Sequence, residues 1–429
     1  MPYQRIRKGD NAQTRRAKKA YNNSQSRKGR VYIHSNQQIN VRKKGKFHGI
    51  RKAPIRFEKE IERFCLTNYA LTTTPSRAVL KLNKEFSLFH DPTKVLLSLL
   101  NLLKHAKELR VHPKITYDGY VSFGAVYLID NLCWEIGKKR KWLVDFQKFP
   151  ADEKSILSNL RSAVSSTVDD ENENMINERV LINRNPDAGN NQQYRSKAKD
   201  ITDMIQRAFQ QIMHDDSFSL PLEIHGAIKS AIGEQFDNIL LHATETSHGT
   251  LCGFFNKKTC EITILIYNFG KTIAETLTSE DLPEDMWDKI GELLTNYKKK
   301  NIWNFTKGSE FTLENALTLF ALQEGISSKI KVDISRGCGL IDFIENCFSL
   351  STDTKVAIIS GETAIKIDKG RPISSQYVFG RQRRVIALNA ENDIFSRPDA
   401  NYIKNTGVRF NGLIIETTIP LKGIQNGND

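Results

Sequence analysis

The sequence predicts an α+β protein, and three observations predict it. The stretch Ile228 to Ala243 spaces Ile228, Ile232, Phe236, Ile239 and Ala243 as one apolar stripe of a helix. Glu261 to Tyr267 and Leu413 to Ile419 are short runs of β-branched and apolar residues, the pattern of buried strands. Between residues 54 and 165 helical and strand patterns alternate, as they do in a small α/β unit. A chain of 429 residues has room for two or three domains, each with its own core.

Taken in order, residues 1–53 are rich in Arg, Lys, Asn, Gln and Ser and poor in apolar residues, so they form a flexible basic tail. Ile55 to Tyr69 has helical spacing, and Ala78 to Leu82 forms a short strand. Asp91 caps a helix whose first residue is Pro92. Lys114 to Tyr117 is a strand ending at Asp118-Gly119, and Ser122 caps a helix through Trp134 that breaks at Gly137. Trp142 to Phe146 and Ala151 to Val164 follow as strand and helix. Residues 166–197 carry Asp169, Asp170, Glu171 and Glu173 and then Asn-rich turns, which reads as a linker. A second domain then runs over residues 198–429. Its helices are Ala198 to His214, the central stretch, Thr312 to Gln323 and Leu340 to Cys347. Its further strands are Val356 to Ser360, Ala364 to Ile367 and Val385 to Leu388, and Pro420 closes the last strand of all.

The net charge of +14 is concentrated. Residues 1–56 hold 17 Lys and Arg against Asp10 alone, so the rest of the chain is close to −2. Clusters such as Arg15-Arg16-Ala17-Lys18-Lys19 can release counterions from phosphates, and Tyr3, Tyr21, Tyr32 and Phe47 can stack on bases. DNA or RNA is therefore one expected partner of the tail, with an acidic protein the alternative. No apolar run reaches the length of a bilayer span, Val95 to Leu103 being the longest candidate. The start lacks a secretory pattern, and six cysteines show no C-x-x-C pair. A reducing, cytoplasmic setting is expected.

Chemistry concentrates around the central helix. Glu234, Asn238 and His242 recur at i, i+4 and i+8, so they stack along one helix side. A carboxylate and a carboxamide one turn apart can hold a metal-bound phosphate and a water, although this spacing also suits a solvated face. The strand from Glu261 ends at Asn268-Phe269-Gly270, a polar side chain at a tight turn that suits the edge of a flat ring. Arg336-Gly337-Cys338-Gly339-Leu340 opens an apolar helix, and glycines there let backbone N–H groups approach a phosphate.

The order of these pieces resembles the GHKL ATPase superfamily: histidine kinases, DNA gyrase, the large heat-shock chaperones and MutL. Glu234 and Asn238 match its Glu-x-x-x-Asn box, with His242-Ala243 as in anti-sigma kinases. Asn268, Gly270 and Thr272 answer its Asp-x-Gly-x-Gly box, and Gly337, Gly339 and Leu340 its Gly-x-Gly-Leu helix start, preceded by a G-x-S-S-K element at Gly325 to Lys329. The stretch GLIIETTIP resembles the fold's closing strand, so the likeness covers residues 198–421. It implies a Bergerat α/β sandwich that binds ATP and Mg²⁺. In it Glu234 orients or deprotonates the attacking group, Asn238 binds Mg²⁺, and Asn268 faces the adenine amino group. Gly270 admits the base, Arg336, Gly337 and Gly339 cradle phosphates, and Lys329 reaches the terminal one. Two departures stand out: Asn replaces Asp at 268, and Thr272 takes the place of the second glycine. The stretch Glu275 to Lys331 falls where that family places its ATP lid.

The segment DGYVSFGAVYLIDNL, from Asp118, resembles STAS-like domains, the fold of anti-anti-sigma factors, and places Ser122 where that group carries a phosphorylation or docking serine. A helix cap is the simpler role for the same serine. Together the resemblances imply a regulatory ATPase whose nucleotide state switches partner or nucleic-acid binding, in bacterial regulation or anti-phage defence. The alternatives are an anti-sigma-type Ser/Thr kinase, acting on a partner protein at the STAS-like domain or on Ser122, and a non-catalytic scaffold with a relic pocket. A homodimer stays open.

Overall fold

A single antiparallel sheet organises the computed structural model, which describes residues 57–71, 79–82, 85–108, 114–117, 122–140, 175–181, 190–242, 248–256, 259–279, 282–300, 311–326, 339–370 and 373–421. Its strands are β3 (Met175–Leu181), β4 (His248–Asn256), β5 (Glu261–Phe269), β9 (Ile403–Pro420) and β6 (Lys355–Ile367), hydrogen-bonded in that order. Successive side chains of β5 point to opposite faces. Ile262, Ile264 and Ile266 enter one core, whereas Leu265, Tyr267 and Phe269 enter another. The sheet is therefore a shared wall between two apolar layers, and the protein is of mixed α and β class.

The front layer consists of α4 (Asn190–Met213), α5 (Leu222–His242), α6 (Ile273–Leu277), α7 (Glu284–Lys300), α8 (Leu313–Phe320) and α9 (Gly339–Leu350). The region from Glu275 to Lys331 contributes packed structure to it: Leu293 and Tyr297 of α7 and Phe320 of α8 are fully buried. Helix α8 starts where Thr312 and Asn315 form a reciprocal capping box.

The back layer consists of α1 (Phe57–Thr67), α2 (Pro92–Glu108) and α3 (Phe123–Arg140). These helices, which the sequence places in a separate small α/β unit, share one core with Phe254, Tyr267, Ile359 and Phe410 of the sheet. A parallel pair, β1 (Val79–Leu82) and β2 (Lys114–Tyr117), brackets α2 in the chain. The Asp91 cap is present, its Oδ1 accepting from the Lys94 N–H at 3.1 Å. Phe123 stacks on Phe254 at 4.5 Å between centroids. Asn131 donates to the Tyr267 hydroxyl at 2.6 Å. Asn68 pairs with both the N–H and the C=O of Arg409, each at 2.8 Å, as a neighbouring strand would.

Several elements differ from the sequence reading. Helix α3 continues through Gly137 to Arg140. Residues 175–181, assigned above to a linker, form the edge strand β3 paired with β4, and α4 begins at Asn190. The expected pair 356–360 and 364–367 is the single strand β6, with irregular pairing around Gly361. Beyond it, β7 (Ser374–Val378) and β8 (Arg381–Val385) make a hairpin whose two loop residues, Phe379 and Gly380, both have positive φ. The expected strand and helix at 142–146 and 151–164 lie outside the described residues, as does the basic tail. Among the described residues no helix is long and apolar enough to cross a membrane.

Candidate functional site

Two of the sequence-predicted residues, 105 positions apart, touch. Glu234 lies in the fourth turn of α5, half-buried, and Gly339 is the first residue of α9. A Cβ on Gly339 would lie 2.5 Å from the Glu234 carboxyl carbon, so only glycine lets the helix start come this close. Helices α5 and α9 pack side by side in the front layer. The carboxylate thus rests at a helix N-terminus, where the exposed N–H groups and the helix dipole favour negative charge. Leu340, the next residue, is half-buried against the front core.

Asn268 is the eighth residue of β5 and follows the parity of Ile262, Ile264 and Ile266, which puts it on the same front face as α5 and α9. It is only 2% exposed. Its Nδ2 reaches the Phe269 carbonyl at 3.4 Å, and its buried Oδ1 has no hydrogen-bond partner among the described residues. An orphaned buried acceptor carries a desolvation cost unless a donor arrives from outside.

The turn after Asn268 is held firmly. The Gly270 N–H donates to the Asn411 carbonyl at 3.0 Å. Thr272 is fully buried and caps α6: its hydroxyl accepts from the Glu275 N–H at 3.1 Å, and Glu275 accepts from the Thr272 N–H at 2.9 Å. The Thr272 side chain is therefore committed to the helix start. The other Glu275 oxygen binds Arg409 at 2.7 Å, and Arg409 also binds Glu314 at 2.9 Å. Burial pushes the Glu314 carboxyl up, against the pull of Arg409.

Asn238 and His242 follow Glu234 on α5 by one and two turns, with their side chains outside the described residues. Lys329, Arg336 and Gly337 lie outside them altogether. Ser122 is 4% exposed; its hydroxyl accepts from the Ala125 N–H at 3.3 Å, so it caps α3. Further down the sheet, sequence reasoning passed over Glu416, a fully enclosed carboxyl in the last strand, because the stretch GLIIETTIP reads as a plain strand. It also passed over Arg384, whose sequence neighbours Arg381 and Arg383 look the same.

No family model, no curated protein and no solved structure matches the chain.

Proposed function

We propose that the chain is a Mg-ATP-binding regulatory ATPase of the GHKL type, with the back helical layer supplying a STAS-like regulatory module. The observation that supports this reading best is the contact between the Glu234 carboxylate and the bare helix start at Gly339. It joins the first and third motifs of the resemblance in one place, on the sheet face that also carries Asn268.

The residues suit the ligand chemically. The unpartnered Asn268 Oδ1 is an acceptor for an exocyclic amine such as that of adenine. The N-terminus of α9 suits a phosphate. Glu234, only half-buried, orients a water and takes its proton. Asn238, one turn along, is the residue to hold Mg²⁺ through its amide oxygen. The ion, when bound, supplies charge neutralisation to the phosphates. In this reading the turnover regulates binding of a protein or nucleic acid by other parts of the chain, the basic segment 1–53 being the source of phosphate contacts.

The test is thermal denaturation with and without Mg-ATP, followed by phosphate release. Mg-ATP at a hundred times its Kd raises stability by about 2.7 kcal/mol, a rise of several degrees. Glu234→Ala keeps that rise and loses turnover, whereas Asn238→Ala loses the magnesium-dependent part of it. No shift with the wild-type chain removes the proposal. Radiolabel that stays on protein rather than appearing as free phosphate would move the assignment to a kinase.

A further inference from the structure

Arg384 of β8 lies outside every motif described above. Its guanidinium meets three carboxylates: Nε lies 3.2 Å from Glu324 Oε2, Nη2 2.6 Å from Asp342 Oδ1 and Nη1 2.6 Å from Glu345 Oε2. Burial opposes its charge, but these three acids outweigh burial and hold the group firmly protonated. Glu324 belongs to the segment leaving α8, whereas Asp342 and Glu345 belong to α9.

The segment 323–326 is itself sewn onto β8 and the residue after it. Gln323 Nε2 donates to the Ile386 carbonyl at 2.9 Å, and Gln323 Oε1 accepts from the Ile386 N–H at 2.9 Å. Glu324 Oε2 accepts from the Arg384 N–H at 2.9 Å. Gly325 has φ +83°, and the Arg383 guanidinium fills the space that a Cβ there would need. This forms a rigid block, and one arginine joins it to α9.

Helix α9 is therefore gripped at two places. Arg384 holds Asp342 and Glu345, about one and two turns in, and Gly339 meets Glu234 at the start. A rotation of the helix by about 20° would carry its backbone roughly 0.8 Å sideways, given a Cα radius of about 2.3 Å. Displacements of about 1 Å at a reacting group can cost a hundredfold in rate. We infer that Arg384 is a positioning residue for Glu234: it sets the rotation of α9, so that the bare backbone of Gly339 confronts the carboxylate. Lysine cannot replace it, because an ammonium presents no planar fork able to hold three carboxylates at once.

The consequence for turnover rests on the ATPase reading; the grip itself does not. The full chain without nucleotide is compared with Arg384→Met and Arg384→Lys by hydrogen exchange of the α9 amides. The Glu234 carboxyl ¹³C resonance is also followed, assigned with Glu234→Gln. Both variants should speed exchange in the first turns of α9 at least tenfold and shift that resonance. The double variant Asp342→Asn/Glu345→Gln should do the same from the other side, and adding Arg384→Met to it should change nothing further. With Mg-ATP, kcat should fall ten- to a hundredfold in all of them while KM stays within threefold. An unmoved Glu234 resonance overturns the inference whether or not ATP binds, and so does undiminished kcat beside loosened α9. A wild-type chain indifferent to Mg-ATP instead removes the ATPase reading, and the resonance and exchange still decide the role of Arg384.

Discussion

The two faces of the sheet use the same device at the start of a helix and put it to different ends. At the back, Gly124 in the first turn of α3 meets Glu416: its N–H donates to Oε1 at 2.9 Å, and a Cβ would lie 2.7 Å from the carboxyl carbon. At the front, Gly339 meets Glu234 just as closely. Glu416 is 2% exposed and its Oε2 has no hydrogen-bond partner among the described residues; burial pushes its pKa up to about 7, against the hydrogen bonds from Ser122 and Gly124. Glu234 is only half-buried. A carboxylate against a bare helix start is thus a packing device in itself, available anywhere in the fold. Each face also holds a buried acceptor without a hydrogen-bond partner among the described residues, Asn268 Oδ1 at the front and Glu416 Oε2 at the back, so the solvent access of the carboxylate is what separates the two joints.

The largest expected difference between the faces comes from the apolar residues beside each glycine. Phe123, 5% exposed and stacked on Phe254, anchors α3, so Phe123→Ala should cost about 4 kcal/mol of stability. Leu340, which follows its glycine on α9 rather than preceding it, is only half-buried, so Leu340→Ala should cost about 1–2 kcal/mol. Urea denaturation measures both. Equal losses would mean that the back joint is no tighter than the front one.

The next effect is on pH. Because the pKa of Glu416 is raised on folding from 4.5 to about 7, the folded chain keeps a proton that the unfolded chain releases over that interval. Stability is therefore fully present below about pH 4.5 and falls as pH rises through 7, by about 3 kcal/mol. Glu416→Gln should abolish that part of the slope while keeping an acceptor for the Gly124 N–H. Glu314, also raised by burial, contributes a slope of the same sign in both proteins, so the difference between them isolates Glu416. Identical pH profiles would show that the sealed carboxyl is solvated after all.

Much of this frame was legible in the sequence because its signals are local. The Asp91-Pro92 and Thr312 helix starts, the first part of the stripe along α5 and the β-branched run of β5 depend on neighbours in the chain, and the structure carries each of them: Ile228 and Ile232 are buried, whereas the side chains of Phe236 and Ile239, and all of Ala243, lie outside what is described. Other features depend on distant partners. Gly137 costs a helix only about 1 kcal/mol, which packing of α3 on the sheet overrides. Strand β3 has the polar sequence MINERVL, and β4 holds two glycines; both are strands because each has a partner to pair with. At the site, the residue types at 234, 268 and 339 stood out, but that one particular glycine faces Glu234 is a fact of helix packing. Arg384 looked like its neighbours until three carboxylates from two elements closed around it.

The smallest effect is the sharpest test of the comparison, because it makes the same change on both faces. In Gly124→Ala the new methyl group meets a carboxylate enclosed on all sides, so either α3 or the strand must move. Overpacking of that kind costs about 1–3 kcal/mol. In Gly339→Ala the new methyl group must turn the Glu234 side chain aside, and that half-buried side chain has more room to yield than the enclosed Glu416, so the loss of stability should be smaller, below about 1 kcal/mol. The same turn takes the carboxylate off the helix start, so any Mg-ATP turnover should fall far more in Gly339→Ala than in Gly124→Ala. The two variants thus exchange their effects, stability at the back and activity at the front. If Gly339→Ala instead destabilised as much as Gly124→Ala and left turnover alone, the front glycine would be a joint like the back one, and Glu234 would have to be read as part of the packing.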